Sequence, residues 1–224
     1  MKNIIKKIVT FFMLLFIRNV KAKQSIFTLC DVKIENNNKL LLENAYLSRV
    51  KIHINGKNNH VTIKGKYLRG ELIVIGEGNT IYIDEHIYLA NMRIVVRGNK
   101  CEIKIGKYVT TGSAYIACMG KNNYVHIGDD CMLAENVDIW ATDTHEIIDK
   151  NNNILNHSKP IILKDHVWIG KGTAILKGVT IESGSIVGMS SLVTKDIEQC
   201  TLYAGSPAKK LKENVTWNRG FIKE

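Results

Sequence analysis

Leu163, Ile169, Ile175, Ile181, Val187 and Val193 stand six residues apart without a slip. Four residues after each of the first five comes a smaller side chain: Val167, Thr173, Val179, Ser185 and Ser191. A period of six fits neither a helix, near 3.6, nor a simple strand, at 2. One large aliphatic residue every sixth position, followed by glycine or a small polar residue, specifies short strands joined by tight corners. Each repeat then supplies one flat side of a solenoid. Three sides make a coil of about eighteen residues, stacked on its neighbours through parallel ladders. The aliphatic positions point into a narrow shared core, and Lys164 to Asp196 is the reference frame for the rest of the chain.

A looser form of the period begins near Leu40. Inward triplets fall at Ile63, Arg69, Ile75; Ile83, Leu89, Val95; Ile105, Thr111, Ala117; and Ile127, Leu133, Ile139, so that successive coils start 20, 22 and 22 residues apart. The excess over eighteen collects at one recurring corner, Gly56 to Asn59, Gly76 to Asn79, Gly98 to Lys100 and Gly120 to Asn123. Gly and Asn tolerate the left-handed backbone that such a corner needs. Arg69 in an inward slot marks the first coils as irregular. After Ile139 the next secure inward residue is Leu163, 24 residues later. The segment between is polar, and a long excursion from a rigid scaffold is usually functional. Asp143, Thr144, His145 and Glu146 stand at its root, and Asn151 to Asn153 with His157 lie towards its tip. His145 stands where a positioned acid or base would be useful, and equally where a lone surface or capping histidine would sit.

Length and composition agree with one repetitive domain: 224 residues, 45% apolar, two prolines and no linker-like stretch. We divide the chain into 1–39 (an N-terminal amphipathic helix and lead-in), 40–204 (the solenoid) and 205–224 (a tail). The net charge of +10 suits an anionic ligand, an anionic glycan or a membrane face, and equally a solvated lysine-rich surface. Five cysteines, none spaced as a metal knuckle or redox pair, read as reduced thiols, with Cys131 packing inward as a small hydrophobe. In Met1 to Lys23 the apolar run Phe11 to Ile17 is too short for a bilayer span, which takes ~20 residues. It reads as a membrane-surface helix or a helix packed on a neighbouring subunit, with a secretion signal third. No G-x-G-x-x-G follows a strand. The seven histidines do not cluster as a zinc site, although coil stacking can bring His126 towards His145.

The repeats from Ile127 to Val193, the loop opening Thr142-Asp143-Thr144-His145, the segment His166-Val167-Trp168-Ile169-Gly170 and the closing Ala204-Gly205-Ser206-Pro207-Ala208-Lys209 together resemble the hexapeptide-repeat acyltransferases. Within these, the chain is most similar to sugar and polysaccharide O-acetyltransferases. The resemblance implies an all-β solenoid: a left-handed parallel β-helix with an N-terminal helix, one long excursion loop (about 141–162) and a short C-terminal tail. It implies acetyl-CoA as co-substrate, no metal, and direct transfer with His145 as general base, Asp143 or Glu146 or a backbone carbonyl holding the other ring nitrogen. Trp168 matches the aromatic residue at the thioester end of the cofactor. By similarity Lys171, Met189 and Thr194 fall along the pantetheine arm and Lys195, Lys209 and Lys212 near the phosphates. Ser113 occupies the place where an asparagine can stabilise the oxyanion. A homotrimer with sites shared between subunits is implied, with a capsular or other surface glycan as acceptor and no nucleic acid. The cytoplasmic donor argues for a cytoplasmic enzyme, and the membrane-surface reading of residues 1–23 would set it at the inner face of the membrane. The alternatives are N-acetylation of an amino sugar nucleotide and, outside the acyltransferases, a metal-dependent hydratase or a structural solenoid.

Overall fold

The computed structural model describes residues 19–35 and 37–222, and the helix expected within residues 1–18 lies outside them. From Val20 to Ala204, apart from the excursion of residues 142–160, the chain is a left-handed parallel β-helix with a triangular cross-section. Its three sides can be followed by register. The first side begins with Val20–Lys23, which pairs in parallel with Leu40 to Glu43 and runs through Thr80–Ile83, Glu102–Ile105, Tyr124–Ile127, Ile161–Leu163 and Thr180–Ile181. The second runs from Ile26–Thr28 through Thr110–Thr111, Met132–Leu133 and Trp168–Ile169 to Thr201–Ala204. The third runs from Asp31–Ile34 to Leu192–Val193. Residues 20–34 are thus the first coil of the stack. The solenoid starts before Leu40, and the strand Val20–Lys23 occupies what the sequence assigned to the end of a helix.

Inward positions from Ile127 onward agree with the six-residue frame: Ile127, Leu133, Ile139, Leu163, Ile169, Ile175, Ile181, Val187 and Val193 are all buried. Their smaller followers Val167, Thr173, Val179, Ser185 and Ser191 are buried too. In the earlier coils the frame slips. Tyr67, not Arg69, fills the second-side slot, its hydroxyl donating to Met92 O (2.5 Å) and Glu71 O (3.1 Å). On the third side Leu72, Ile94 and Ile116 share the register of Ile139 and Ile175, so Ile75 points outward at 39% exposure. Val95 and Ala117 are buried one residue out of the core register. The third-side strands here carry apolar residues on both faces, which lets a count of six land one residue late.

The Gly/Asn corner has a second function beyond turning. Asn58, Lys100 and Asn122 take left-handed φ near +55°, as expected. Gly76 stacks on Gly98 so closely that an added Cβ would meet the Gly98 carbonyl oxygen at 1.9 Å. The neighbouring asparagines turn inward and form a ladder: Asn59 Nδ2 donates to Asn38 Oδ1 (2.9 Å) and Gly76 O (2.9 Å), and Asn79 Nδ2 donates to Asn59 Oδ1 (2.9 Å). Cys101 replaces the next rung, its amide donating to Asn79 Oδ1, before Asn123 resumes it by donating to Ala141 O. Buried backbone oxygens at the corner are satisfied in this way along the stack. Among the described residues no helix is long and apolar enough to cross a membrane.

Candidate active site

The excursion leaves the stack at Ala141, on the corner between the third and first sides, and returns at Ile161–Leu163. Its root is built from hydrogen bonds. Asn156 Nδ2 donates to Asp143 Oδ2 and to His145 O, each at 2.8 Å, and its Oδ1 accepts the Ile147 amide at 2.6 Å. Lys177, from the next coil, donates to the Asp143 carboxylate and to Asn156 O (2.8 Å). Lys177 is the main cause holding the Asp143 carboxyl below the usual carboxylate range, and Asn156 adds to it. Thr142 Oγ1 is capped by the Ser158 hydroxyl and the Thr144 amide. Thr144 takes φ +64°, uncommon for a β-branched residue, and the His145 amide donates back to Asp143 O at 2.7 Å. Beyond the root the loop is a short antiparallel arm, bridged at Ile148 and Ile154 and closed by Asp149 capping the amides of Asn151 and Asn153. Ile147, Ile148, Ile154 and Leu155 are exposed on it.

His145 is exposed, and its ring makes no hydrogen bond among the described residues. Asp143, the expected orienting acid, is committed to Lys177 and Asn156: it anchors the loop rather than the imidazole. His126 lies on the first side, bonded to Glu102 at 2.6 Å.

Trp168 lies on the second side, where its outward column is Tyr46, Lys66, Tyr88, Thr110, Met132 and Trp168 in successive coils. It is 37% exposed and is flanked by Trp217, with ring centroids 6.2 Å apart. Trp217 comes from the tail, which first folds back as Lys209–Glu213, antiparallel to Thr201–Ala204, and then straps across three coils. Trp217 stacks on His166 (4.3 Å, 7°) and donates from Nε1 to His166 O at 2.8 Å, while His166 bonds Asp130 through Nδ1. Arg219 pairs with Asp130 and donates to Thr110 Oγ1, Tyr108 O and Cys131 O. The Asp130 carboxyl is held low: Arg219 and His166 together outweigh its desolvation, which by itself would raise it. Cys131 is buried as expected, and burial pushes its thiol up to about 12. The strap was not legible in the sequence, where its only signal was a tryptophan and an arginine in a polar tail.

The remaining expected residues divide between two corners and the tail. Lys171 and Met189 stack one coil apart between the second and third sides, beside Gly170 and Gly188; Lys171 pairs with Glu135 at 2.8 Å, and Met189 is 67% exposed. Thr194 and Lys195 are exposed at the corner where the excursion leaves, and Lys209 and Lys212 lie on the folded-back strand. Lys195, Lys209 and Lys212 are not ion-paired among the described residues, so their charge is available to an anion. Ser113 sits at the second-to-third corner with its hydroxyl between the Asn136 amide (2.7 Å) and Asn136 Oδ1 (3.1 Å). In a triangular prism the corner carrying His145 is opposite the side carrying Trp168. One chain does not bring the two together.

No family model matches the chain. It is 33% identical over 189 residues to the polysialic acid O-acetyltransferase of Neisseria meningitidis, covering 73% of this chain and 87% of that protein. To the polysialic acid O-acetyltransferase of Escherichia coli O1:K1 / APEC it is 36% identical over 127 residues, 56% of this chain and 40% of the relative's length. The crystal structure of the polysialic acid O-acetyltransferase OatWY matches with a TM-score of 0.66 at 28% identity, over 88% of this chain and 93% of that one.

Proposed function

The chain belongs to the sugar O-acetyltransferase family of hexapeptide-repeat enzymes, and from that membership we propose that it transfers acetyl from acetyl-CoA to a hydroxyl of an acidic bacterial surface polysaccharide. The observation that carries this reading is the similarity to a polysialic acid O-acetyltransferase across most of that protein's length. His145 takes the proton of the acceptor hydroxyl as its oxygen attacks the thioester carbonyl. The tetrahedral adduct collapses by breaking the carbon–sulfur bond, and the imidazolium returns the proton to the departing CoA thiolate. Trp168 packs against the thioester end, Met189 offers apolar surface to the pantetheine arm, and Lys195, Lys209 and Lys212 supply cations for phosphate. Ser113, with its hydroxyl already engaged by Asn136, is the weaker support for the oxyanion.

The opposite placement of His145 and Trp168 supports a homotrimer in which His145 of one subunit meets Trp168 of its neighbour. The exposed aliphatic arm 147–155 supports the same arrangement, since it needs a surface to cover it. The donor is cytoplasmic, and we place the enzyme there, at the inner face of the membrane, with the basic and apolar residues 1–18 that precede the first strand as the contact. The test is an acceptor screen with labelled acetyl-CoA against polysialic acid, other acidic polysaccharides, neutral glycans and nucleotide sugars. Label in an acidic polymer is the expected result; label only in an amino sugar nucleotide would overturn it.

A further inference from the structure

At the N-terminal end of the column that carries Trp168 lies a cleft of about 440 Å³ lined by Tyr46, Ser48, Arg49, Lys66, Leu68 and Arg69. Lys66 is held between two aromatic rings, its Nζ 5.9 Å from the Tyr46 centroid and 5.2 Å from that of Tyr88, and both tyrosines keep an exposed face (37% and 43%). None of Arg49, Lys66 and Arg69 is ion-paired with a carboxylate among the described residues, whereas nearby Lys51 pairs with Glu71 and Lys64 with Glu43. The cleft is thus a local excess of three positive charges in a chain that neutralises lysines around it. Turn geometry does not account for the arginines. Both hold left-handed backbone (φ +57° and +52°) at a corner where the next coil uses Asn91, a residue better suited to that conformation.

Resting on the acceptor reading above, we infer that this cleft is a remote subsite for an acidic sugar unit of the polymeric acceptor. Flat tyrosine faces flanking a cation suit a sugar ring that carries a carboxylate: the ring stacks on apolar edges while the anion meets Lys66 and the two guanidiniums. Parallel strands stack about 4.8 Å apart, so Tyr88 lies about 14 Å and Tyr46 about 24 Å from Trp168 along the column. The tail strap holds the other edge of this side through Thr110, leaving the edge of Arg49 and Arg69 clear. The cofactor residues lie on the opposite, C-terminal side of Trp168. A long acceptor bound at the thioester therefore extends to the cleft, and a short one bound there does not reach it.

The experiment measures binding of long-chain polysialic acid and of its trisaccharide, without acetyl-CoA, to the full-length protein and to the Arg49→Gln/Lys66→Gln/Arg69→Gln variant. A Lys57→Gln/Lys104→Gln/Lys107→Gln variant removes the same charge elsewhere. The cleft variant is expected to bind the long chain about tenfold or more weakly, with a smaller loss for the trisaccharide, which cannot span the cleft and the thioester end together, and the charge control close to wild type. Kinetically, its KM for the polymer rises while its KM for acetyl-CoA stays the same. Equal polymer binding by the cleft and control variants overturns the inference, as does capture by anionic phospholipid vesicles in preference to the glycan. Should acetyl transfer to acidic polymers be absent while cleft-dependent binding persists, the acceptor hydroxyl is misassigned and the glycan subsite stands. Should transfer occur equally in all variants, the subsite alone is wrong.

Discussion

Lys177→Met isolates the device that holds the loop carrying His145 in place. The lysine side chain is mostly covered (17% exposed) and joins Asp143 to Asn156 O, so its loss removes a charge-assisted bond and the loop's only ionic tie to the next coil among the described residues. A hydrogen bond to a charged group is worth ~1.5–3 kcal/mol. Asp143 is 40% exposed, and solvent screening reduces this to about 1–2 kcal/mol, or a roughly 5- to 30-fold rise in the open loop population. Amide exchange at Ile147 and Leu155, which donate to Asn156 Oδ1 and Ile147 O, reads that population directly and should accelerate by the same factor. The kcat should fall by no more than that factor, and Lys177→Arg should restore most of both. The anchor is also pH-dependent. Asp143 has a folded pKa below its unfolded value of about 3.9, so its contribution is present above that pH and is lost as pH falls through the folded value. Unchanged exchange and unchanged kcat in Lys177→Met would refute the assignment of Asp143, Asn156 and Lys177 as the loop's anchor.

Asn59→Ala should destabilise the early coils by roughly 2–4 kcal/mol, because Gly76 O and the Asn79 amide lose their buried partner while Asn38 Oδ1 keeps only the backbone amide of residue 59; denaturant titration checks it. Trp217→Ala should shift the emission of Trp168 and raise the KM for acetyl-CoA more than it lowers kcat, since it removes a stacked ring worth about 0.5–1.5 kcal/mol beside Trp168; steady-state kinetics would expose a purely structural role as an unchanged KM.

The later coils were legible because each side there is two or three residues long and only one face is apolar, so Leu163 to Val193 admit one frame. Gly70 to Glu77 and Tyr88 to Asn99 belong to long strands with apolar residues on both faces, and there the period alone could not separate Val95 from Ile94 or Ala117 from Ile116. The lead-in 20–34 was missed because its outer positions are half exposed and lack the alternation that marks a buried strand. His145 and Trp168 stood out by their place in the repeat. Lys177, Asn156 and Trp217 did not, since each acts through a contact between coils or across the tail, which spacing does not encode. The asparagines of the corner were read as turn formers, and only the stack reveals that their amides point inward.

The claim that matters most is that the chemistry is done by His145 against a cofactor seated at Trp168 of another subunit. His145→Ala alone should lose ~10²- to 10⁴-fold in kcat, and Trp168→Ala should be impaired in acetyl-CoA use. Chains of the two variants, mixed in equal amounts, unfolded and reassembled together, should regain about a quarter of wild-type activity, the fraction of head-to-tail interfaces that pair an intact histidine with an intact tryptophan. No recovery in mixed oligomers of normal size, or near-normal turnover by His145→Ala itself, would contradict the account.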